Sequence, residues 1–168
     1  MIREASLGRR FAALAYEAVL YSALVLVAGF LTIPLVPAAV SGGAFLRIPD
    51  APARMLSFAL VFAAGALYYG WSWSGGRRTL PMKTWRLRVV RADGGSLDRR
   101  RALLRYFAVW IGPALALLAY VALQREGLSA HAVWLLALNY LWALIDPERR
   151  FLHDRIAGTR LVTYTSRP

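Results

Sequence analysis

Residues 11–33 read FAALAYEAVLYSALVLVAGFLTI, an almost unbroken apolar run. A helix that crosses a bilayer needs about 20 mostly apolar residues, within a range of about 17–25. Only Glu17 and a few small polar residues interrupt the run. It therefore predicts a membrane-spanning helix with one charged side chain inside it.

Three further apolar blocks follow, at residues 56–73, 102–123 and 128–145. The last is the shortest of the four. A Gly112-Pro113 pair lies early in the third block, and proline removes a backbone donor from a helix, so a kink is expected there. Together the blocks predict an all-α transmembrane fold, a four-helix membrane bundle.

The composition supports this class. Apolar residues make up 58% of the 168 residues and charged residues 18%, against roughly 45–50% and about 25% in soluble domains. A disordered tail would be poor in apolar residues, and a soluble nucleic-acid binder would have to hide most of this chain from water. The length suits a single domain over residues 1–168.

Basic residues are distributed unevenly between the connections. With four spans, 18 of the 21 Lys and Arg residues fall on one side, and 3 on the other. Positively charged loops stay cytoplasmic, so both termini and the loop at 74–105 are expected at the cytoplasmic face of a cell inner membrane. The apolar run is about twice the length of a signal-peptide core, which argues against cleavage.

The cytoplasmic segments carry local structural signals. Residues 85–91 alternate in polarity before Asp93-Gly94-Gly95, which predicts a strand and a turn. Residues 158–165 predict a second short strand, and the two are expected to pair in a small basic cytoplasmic cap. Asp98 is placed to cap the next helix.

The residue most suggestive of function is Glu17. An ionisable group at a span centre costs about 2.5–3.5 kcal/mol on insertion scales. Arg10 lies two turns earlier on nearly the same face with the small Ala13 between them, too far for a direct pair unless Arg10 bends inward. Glu17 is either an ion- or proton-binding carboxylate, or a structural polar contact that holds helices together, or a side chain that reaches for the cytoplasmic interface. Asn139 in the fourth block suits an interhelical hydrogen bond.

A second charged cluster, residues 146–155, follows the fourth block. Asp154 is expected to pair with Arg10 or with an arginine of the long loop, tying the tail to the bundle, and Asp146 lies in the same cluster. His153 beside Asp154 is too weak a signal for a metal site. The motifs of phosphate-binding loops, serine hydrolases and zinc proteases are missing. Neither an enzyme nor a cofactor is expected.

Two basic runs are expected to attract anionic lipid headgroups, worth about 1 kcal/mol per residue near the surface. Nothing in them matches a nucleic-acid recognition module. The runs consist of Arg77, Arg78, Arg99, Arg100 and Arg101.

Three segments together resemble the RDD family of small polytopic membrane proteins. The Arg10-x-x-Ala13-x-x-x-Glu17 spacing resembles the Arg-x-x-Ala-x-x-x-Asp signature of that family. Residues 79–95 resemble its cytoplasmic segment, and residues 153–159, HDRIAGT, resemble its C-terminal stretch. By this resemblance the name-giving arginine falls on Arg10, and the second aspartate on Asp154.

Two positions depart from the family pattern. Glu17 stands where the first aspartate is expected, and Pro81 stands where many members carry glycine. Some members are reported as sodium/proton antiporters, and others resemble partners of larger membrane complexes.

Two functions are compatible with these features. The first is a transporter that exchanges monovalent cations for protons at Glu17, with Arg10 and Asp154 setting the pKa of that carboxylate. Because four spans are few for a transporter, a homo-oligomer is implied. The second is a non-transporting membrane scaffold or accessory subunit that holds lipids or a membrane-protein partner.

Overall fold

The computed structural model describes residues 3–32 and 51–164. The first loop, with Arg47, and the tail beyond residue 164 lie outside this part of the chain. In chain order the helices and strands are β1 (Arg3–Glu4), α1 (Leu7–Thr32), α2 (Ala51–Ser72), α3 (Leu80–Thr84), β2 (Leu87–Arg91), α4 (Arg99–Val109), α5 (Ile111–Leu123), α6 (Leu138–Leu141), α7 (Leu152–Ala157) and β3 (Thr159–Thr163), with 3₁₀ segments at Ser129–Ala137 and Trp142–Leu144.

Three helical stretches in the described part are long and apolar enough to cross a membrane, namely Leu7–Val27, Ala51–Ser72 and Arg99–Leu123. Their apolar side chains mostly point outward. Leu67 is 76% exposed and Leu118 66% exposed, and so large an apolar surface suits lipid rather than water. Three of the four predicted blocks are thus confirmed as candidate spans, with α1 and α2 beginning four or five residues earlier than predicted.

The fourth block differs from the prediction. Residues 128–145 are not one α-helix but a 16-residue segment, Ser129–Leu144, in which a single α-helical turn lies between two 3₁₀ stretches. We call it segment 129–144. It packs closely along α5. Almost every residue of this segment is apolar, so its sequence has no periodicity that would distinguish a 3₁₀ helix from an α-helix. The sequence therefore could not predict the 3₁₀ stretches.

Between α4 and α5 the helical pattern breaks, close to the predicted kink at Gly112-Pro113. The helix is interrupted at Trp110, whose N–H donates to Phe107 O in a tight turn. Pro113 has no N–H to offer the Val109 carbonyl one turn earlier. Asn139 Nδ2 donates to this carbonyl instead, at 2.7 Å. Asn139 is therefore the interhelical hydrogen-bonding residue that the sequence predicted.

A three-stranded antiparallel sheet, in the order β1-β3-β2, lies at one end of the helices. The predicted pairing of β2 with β3 is confirmed, with Val89 opposite Leu161. β1 is an additional strand, in which Glu4 lies opposite Val162. The sheet therefore joins a segment before α1, a segment between α2 and α4, and a segment after α7.

The core lies between this sheet and the inner faces of the helices. Leu87, Leu97 and Ala102 are among its fully or almost fully buried members, and Leu161 packs with them. Asp98 caps α4 as predicted, because its Oδ1 accepts from Arg101 N at 2.7 Å. This core fixes α4 against the sheet and so positions the buried face of that helix.

Candidate functional site

Glu17 lies on α1 opposite the start of α3. Thr79, the residue that caps α3, is buried, and its Oγ1 donates to Glu17 Oε1 at 2.7 Å. No cationic nitrogen of the described residues lies within ion-pair distance of the partly buried Glu17 carboxylate. A carboxylate inside a span whose direct partner is a neutral hydroxyl keeps an uncompensated charge when it is ionised.

A cavity of about 200 Å³ borders Glu17. Glu17 is the sole carboxylate among its described lining residues, which also include Ala13 and Met82. Three further lining residues carry basic side chains, namely Arg10, Arg105 and His153. Seven aromatic side chains form most of the remaining wall, and they are Tyr21, Tyr69, Trp73, Tyr106, Trp110, Tyr140 and Phe151.

A second, apolar cavity of about 420 Å³ also borders Glu17, and it is lined by aliphatic residues of α1 such as Leu20 and Leu24. Three residues border both cavities: Glu17, Tyr21 and Tyr69. Glu17 is therefore the one carboxylate among the described residues that borders both spaces.

Asp154 pairs with Arg105. Arg105 Nε donates to Asp154 Oδ1 at 2.8 Å, and both side chains are almost completely buried. Thr159 Oγ1 also donates to Asp154 Oδ1, at 2.7 Å. The Arg105 guanidinium lies 4.2 Å from the centre of the Trp73 ring. The pair ties α7 to α4 and neutralises the buried arginine.

The contacts among Arg105, His153 and Asp154 also set the protonation states of His153 and Asp154. Burial alone would raise the pKa of Asp154, but the Arg105 charge, the neighbouring imidazole and the two hydrogen bonds together hold that pKa well below its usual range. Burial lowers the pKa of His153 to about 4, with Asp154 opposing this shift and Arg105 adding to it. His153 is therefore neutral at pH 7, and Asp154 is charged.

Arg10 is buried and held by the chain around it. Its Nε donates to Ala5 O at 2.9 Å, and its Nη1 donates to Arg149 O at 2.7 Å. Its Nη2 lies 3.5 Å from a carboxylate oxygen of Glu4. Arg10 thus joins the start of α1 to the segment before α7, with no direct contact to Glu17 among these bonds.

The three residues singled out from the sequence do not form one charge cluster. Arg10 and Glu17 border the same cavity. Asp154 does not line it, but its partner Arg105 does, and so does the neighbouring His153. Of the two partners expected for Asp154, the long-loop arginine is the one found. The supporting residue Ala13 is buried and lines the cavity.

Asp146 has a structural position after segment 129–144. Its Oδ2 accepts from Arg150 N at 2.9 Å and from Glu148 N at 3.2 Å. Arg155 Nε lies 3.9 Å from its other oxygen. These bonds fix the turn that leads into α7, so Asp146 supports the tail rather than the cavity.

The two basic runs differ in their surroundings. Arg77 donates to Trp71 O at 2.8 Å, and Arg78 lies over the Tyr164 ring. The second run, at residues 99–101 in the first turn of α4, is exposed. Of the two runs, the exposed one is better placed to meet headgroups.

Two residues of the site were not singled out from the sequence. Arg105 counted there only as one of many loop arginines, and Thr79 only as part of the resemblance. For Arg105 a signal exists, because Ala102, Arg105 and Tyr106 share one helical face and that face is apolar apart from the arginine. For Thr79 there is no such signal. Within the described residues, no three His, Asp or Glu side chains gather as metal ligands.

Comparison with known proteins gives one result that covers almost the whole chain. The RDD family model matches residues 4–158. No curated protein and no solved structure matches the chain. The matched range includes Arg10, Glu17 and the Arg105–Asp154 pair. On this match, which agrees with the apolar helices, the chain belongs to the RDD family and is a protein of the membrane type.

Proposed function

We propose that this protein is a multi-pass inner-membrane protein that exchanges a monovalent cation for protons, with Glu17 as the shared binding site. The observation that carries the proposal is the position of Glu17. It is a carboxylate inside a span, without an ion-pair partner among the described residues, and it borders both cavities.

Competition at one carboxylate is sufficient for exchange. A proton neutralises Glu17, and a cation neutralises it in a different way, so occupancy by one excludes the other. If the site faces the two sides of the membrane in turn, bound cation in one direction is traded for bound proton in the other. The Tyr21 and Tyr69 side chains border both cavities together with Glu17.

The sheet supports four crossings with both termini on one side. β3 follows segment 129–144 and pairs with β1, which precedes α1, and with β2, which lies between α2 and α4. Strands that hydrogen-bond to one another lie on the same side of a bilayer, so an even number of crossings separates them. Segment 129–144 would then be the fourth crossing, and it would bring the chain back to the side on which β1 and β2 lie.

The length of segment 129–144 is compatible with this role. A 3₁₀ helix rises about 2.0 Å per residue and an α-helix 1.5 Å. With nine and three residues in 3₁₀ geometry and four in α geometry, the segment reaches about 30 Å, the thickness of the hydrocarbon core. The excess of basic residues on the side of the sheet favours the cytoplasm for that side.

Accessibility of single cysteines tests the topology cleanly, because the chain contains no cysteine. Ala92→Cys, beyond β2, is expected to be shielded from an impermeant thiol reagent in intact cells. Gln124→Cys, after α5, is expected to be labelled. The opposite pattern, or labelling of both positions, would rule out the proposed orientation.

Exchange is tested with purified protein in liposomes. Adding Na⁺ or K⁺ outside should drive protons out of the lumen, reported by a trapped pH dye. Glu17→Gln should abolish this flux, whereas Glu126→Gln, the same change at an exposed loop position, should leave it intact. Folding of each variant is checked by circular dichroism and gel filtration.

The alternative function is a scaffold or accessory subunit, alone or in a homo-oligomer. It predicts no flux from well-folded wild-type protein. That result would remove the exchange proposal and leave the charged residues with structural roles.

A further inference from the structure

The charges around the 200 Å³ cavity do not cancel. Arg10 is paired with Glu4, and Arg105 with Asp154. His153 is neutral at pH 7 because burial holds its pKa at about 4. When ionised, Glu17 is therefore the single unbalanced charge among the described lining residues. A cavity with one uncompensated negative charge, two neutralised arginines and a neutral imidazole favours a monovalent cation over an anion.

The wall around Glu17 suits a soft cation better than a small hard one. Hard metal cations give up their hydration water where several oxygen atoms converge. Here Glu17 is the single carboxylate among the described lining residues, and the other side-chain oxygens of the wall belong to neutral tyrosine hydroxyls. Most of the remaining wall is aromatic. Aromatic rings attract alkylammonium groups, and such cages are the usual way proteins bind quaternary ammonium ions.

Size and unsatisfied polar atoms also indicate an organic occupant. An apolar protein cavity of 150 Å³ accommodates benzene, so about 200 Å³ accommodates a cation of similar or slightly larger size. Trp73 Nε1 and His153 Nδ1 belong to lining residues and are buried, and neither has a hydrogen-bond partner in the described part of the chain. Buried polar atoms are normally paired, so an occupant that carries a polar group would satisfy one of them.

We infer that the cavity beside Glu17 binds a small organic monovalent cation of the alkylammonium class, with a hydroxyl or similar polar group. The inference deepens the exchange proposal by naming its substrate class, and it rests on the same carboxylate. Glu17 supplies the counter-charge, and the aromatic residues contact the alkyl groups.

The test uses choline and its neutral isostere 3,3-dimethyl-1-butanol, which differ in charge and hardly in shape. Binding to the purified full-length chain in detergent is measured by titration calorimetry at pH 8. Choline should bind, and the isostere should bind at least about tenfold more weakly, since a desolvated cation–aromatic contact is worth about 2 kcal/mol. Equal binding of the two, or none by choline, would overturn the inference.

Variants and competing ions assign the binding to this cavity. Glu17→Gln should weaken choline binding at least about tenfold, with Glu126→Gln unchanged. NaCl at matched ionic strength should displace choline far less effectively than added choline does, whereas lowering the pH should displace it. Displacement by Na⁺ as effective as by excess choline would contradict the substrate class. The ligand pair tests the charge requirement in wild-type protein, so the inference stays testable even if Glu17→Gln misfolds.

The two proposals fail in different ways. Sodium-driven proton flux without choline binding would leave exchange standing and remove the organic cation. Choline binding that depends on Glu17, with no flux under a choline or Na⁺ gradient, would leave the binding site standing and remove exchange.

Discussion

Asn139 Nδ2 donates a 2.7 Å hydrogen bond to the carbonyl oxygen of Val109, the carbonyl that Pro113 leaves without its helical partner. Gly112 makes this contact feasible, because a Cβ there would lie 2.9 Å from Leu135 O. The glycine, the proline and the amide thus form one device that joins α5 to segment 129–144.

The first prediction concerns this device. Asn139→Ala should lower the free energy of unfolding by about 1–3 kcal/mol, because it leaves a buried carbonyl unsatisfied. In the Pro113→Ala background the same change should cost less, since the restored N–H can serve Val109 O. Thermal unfolding in detergent, followed by circular dichroism, measures this double-mutant cycle. Additive effects would show that Asn139 does not compensate for the proline.

The second prediction concerns the Arg105–Asp154 pair. Asp154→Asn should destabilise the protein by about 3–5 kcal/mol, because it leaves a buried guanidinium without its counter-charge. Glu148→Gln, at a half-exposed carboxylate that also contacts arginines, should cost no more than about 1 kcal/mol. The same unfolding assay compares them. A similar small loss for both would mean that Arg105 is solvated rather than buried.

The third prediction is a pH dependence of stability. The pKa of His153 is about 4 in the folded protein, below its ordinary value of 6.5. The unfolded chain therefore binds a proton between about pH 6.5 and 4 that the folded chain does not. His153 thus makes stability fall as the pH drops through this window, by up to about 3 kcal/mol.

His153→Gln should remove most of the decline between pH 6.5 and 4 while leaving the steeper loss below it. That lower loss arises because Asp154, whose pKa is depressed, must be protonated in the unfolded chain below about pH 3.8. His131→Gln, which changes the other histidine, serves as the control. An unchanged slope in the His153 variant would place this imidazole in water.

The fourth prediction concerns Arg149, which has a positive φ of 50° and whose carbonyl accepts from Arg10. A side chain in this left-handed region costs about 1–2 kcal/mol, part of which glycine loses again through its freedom when unfolded. Arg149→Gly should therefore stabilise the protein by about 0.5–1 kcal/mol. Arg149→Ala keeps the strain and should not stabilise. An equal increase in stability in both variants would show that loss of the arginine charge, and not relief of backbone strain, stabilises the protein.

Local signals predicted much of this fold. Alternation and the Asp93-Gly94-Gly95 turn located β2, and Asp98 located the start of α4. Pro113 lies close to the break between α4 and α5. Each of these signals acts on the neighbouring backbone. The sequence did not predict β1, because a strand of two residues is too short to show a periodic pattern. Its pairing partner, β3, is also more than 150 residues away.

The site was predicted only in part. The cost of inserting a charge singled out Glu17 from the sequence of its own helix. The partner of Asp154 is 49 residues distant, and Arg10 and the nine arginines of the long loop were equivalent candidates. Charge type alone cannot choose among them. The choice depends on which helical face packs inward, and that is decided by the core around Ala102 and Leu97.

β3 is the middle strand, although it is the last one the ribosome makes. The two outer strands therefore lack their pairing partner until the chain has been made as far as Thr159–Thr163. Completion of the sheet thus depends on the last element of the described chain. Chains cut short before Thr159 would leave both outer strands without the strand that joins them.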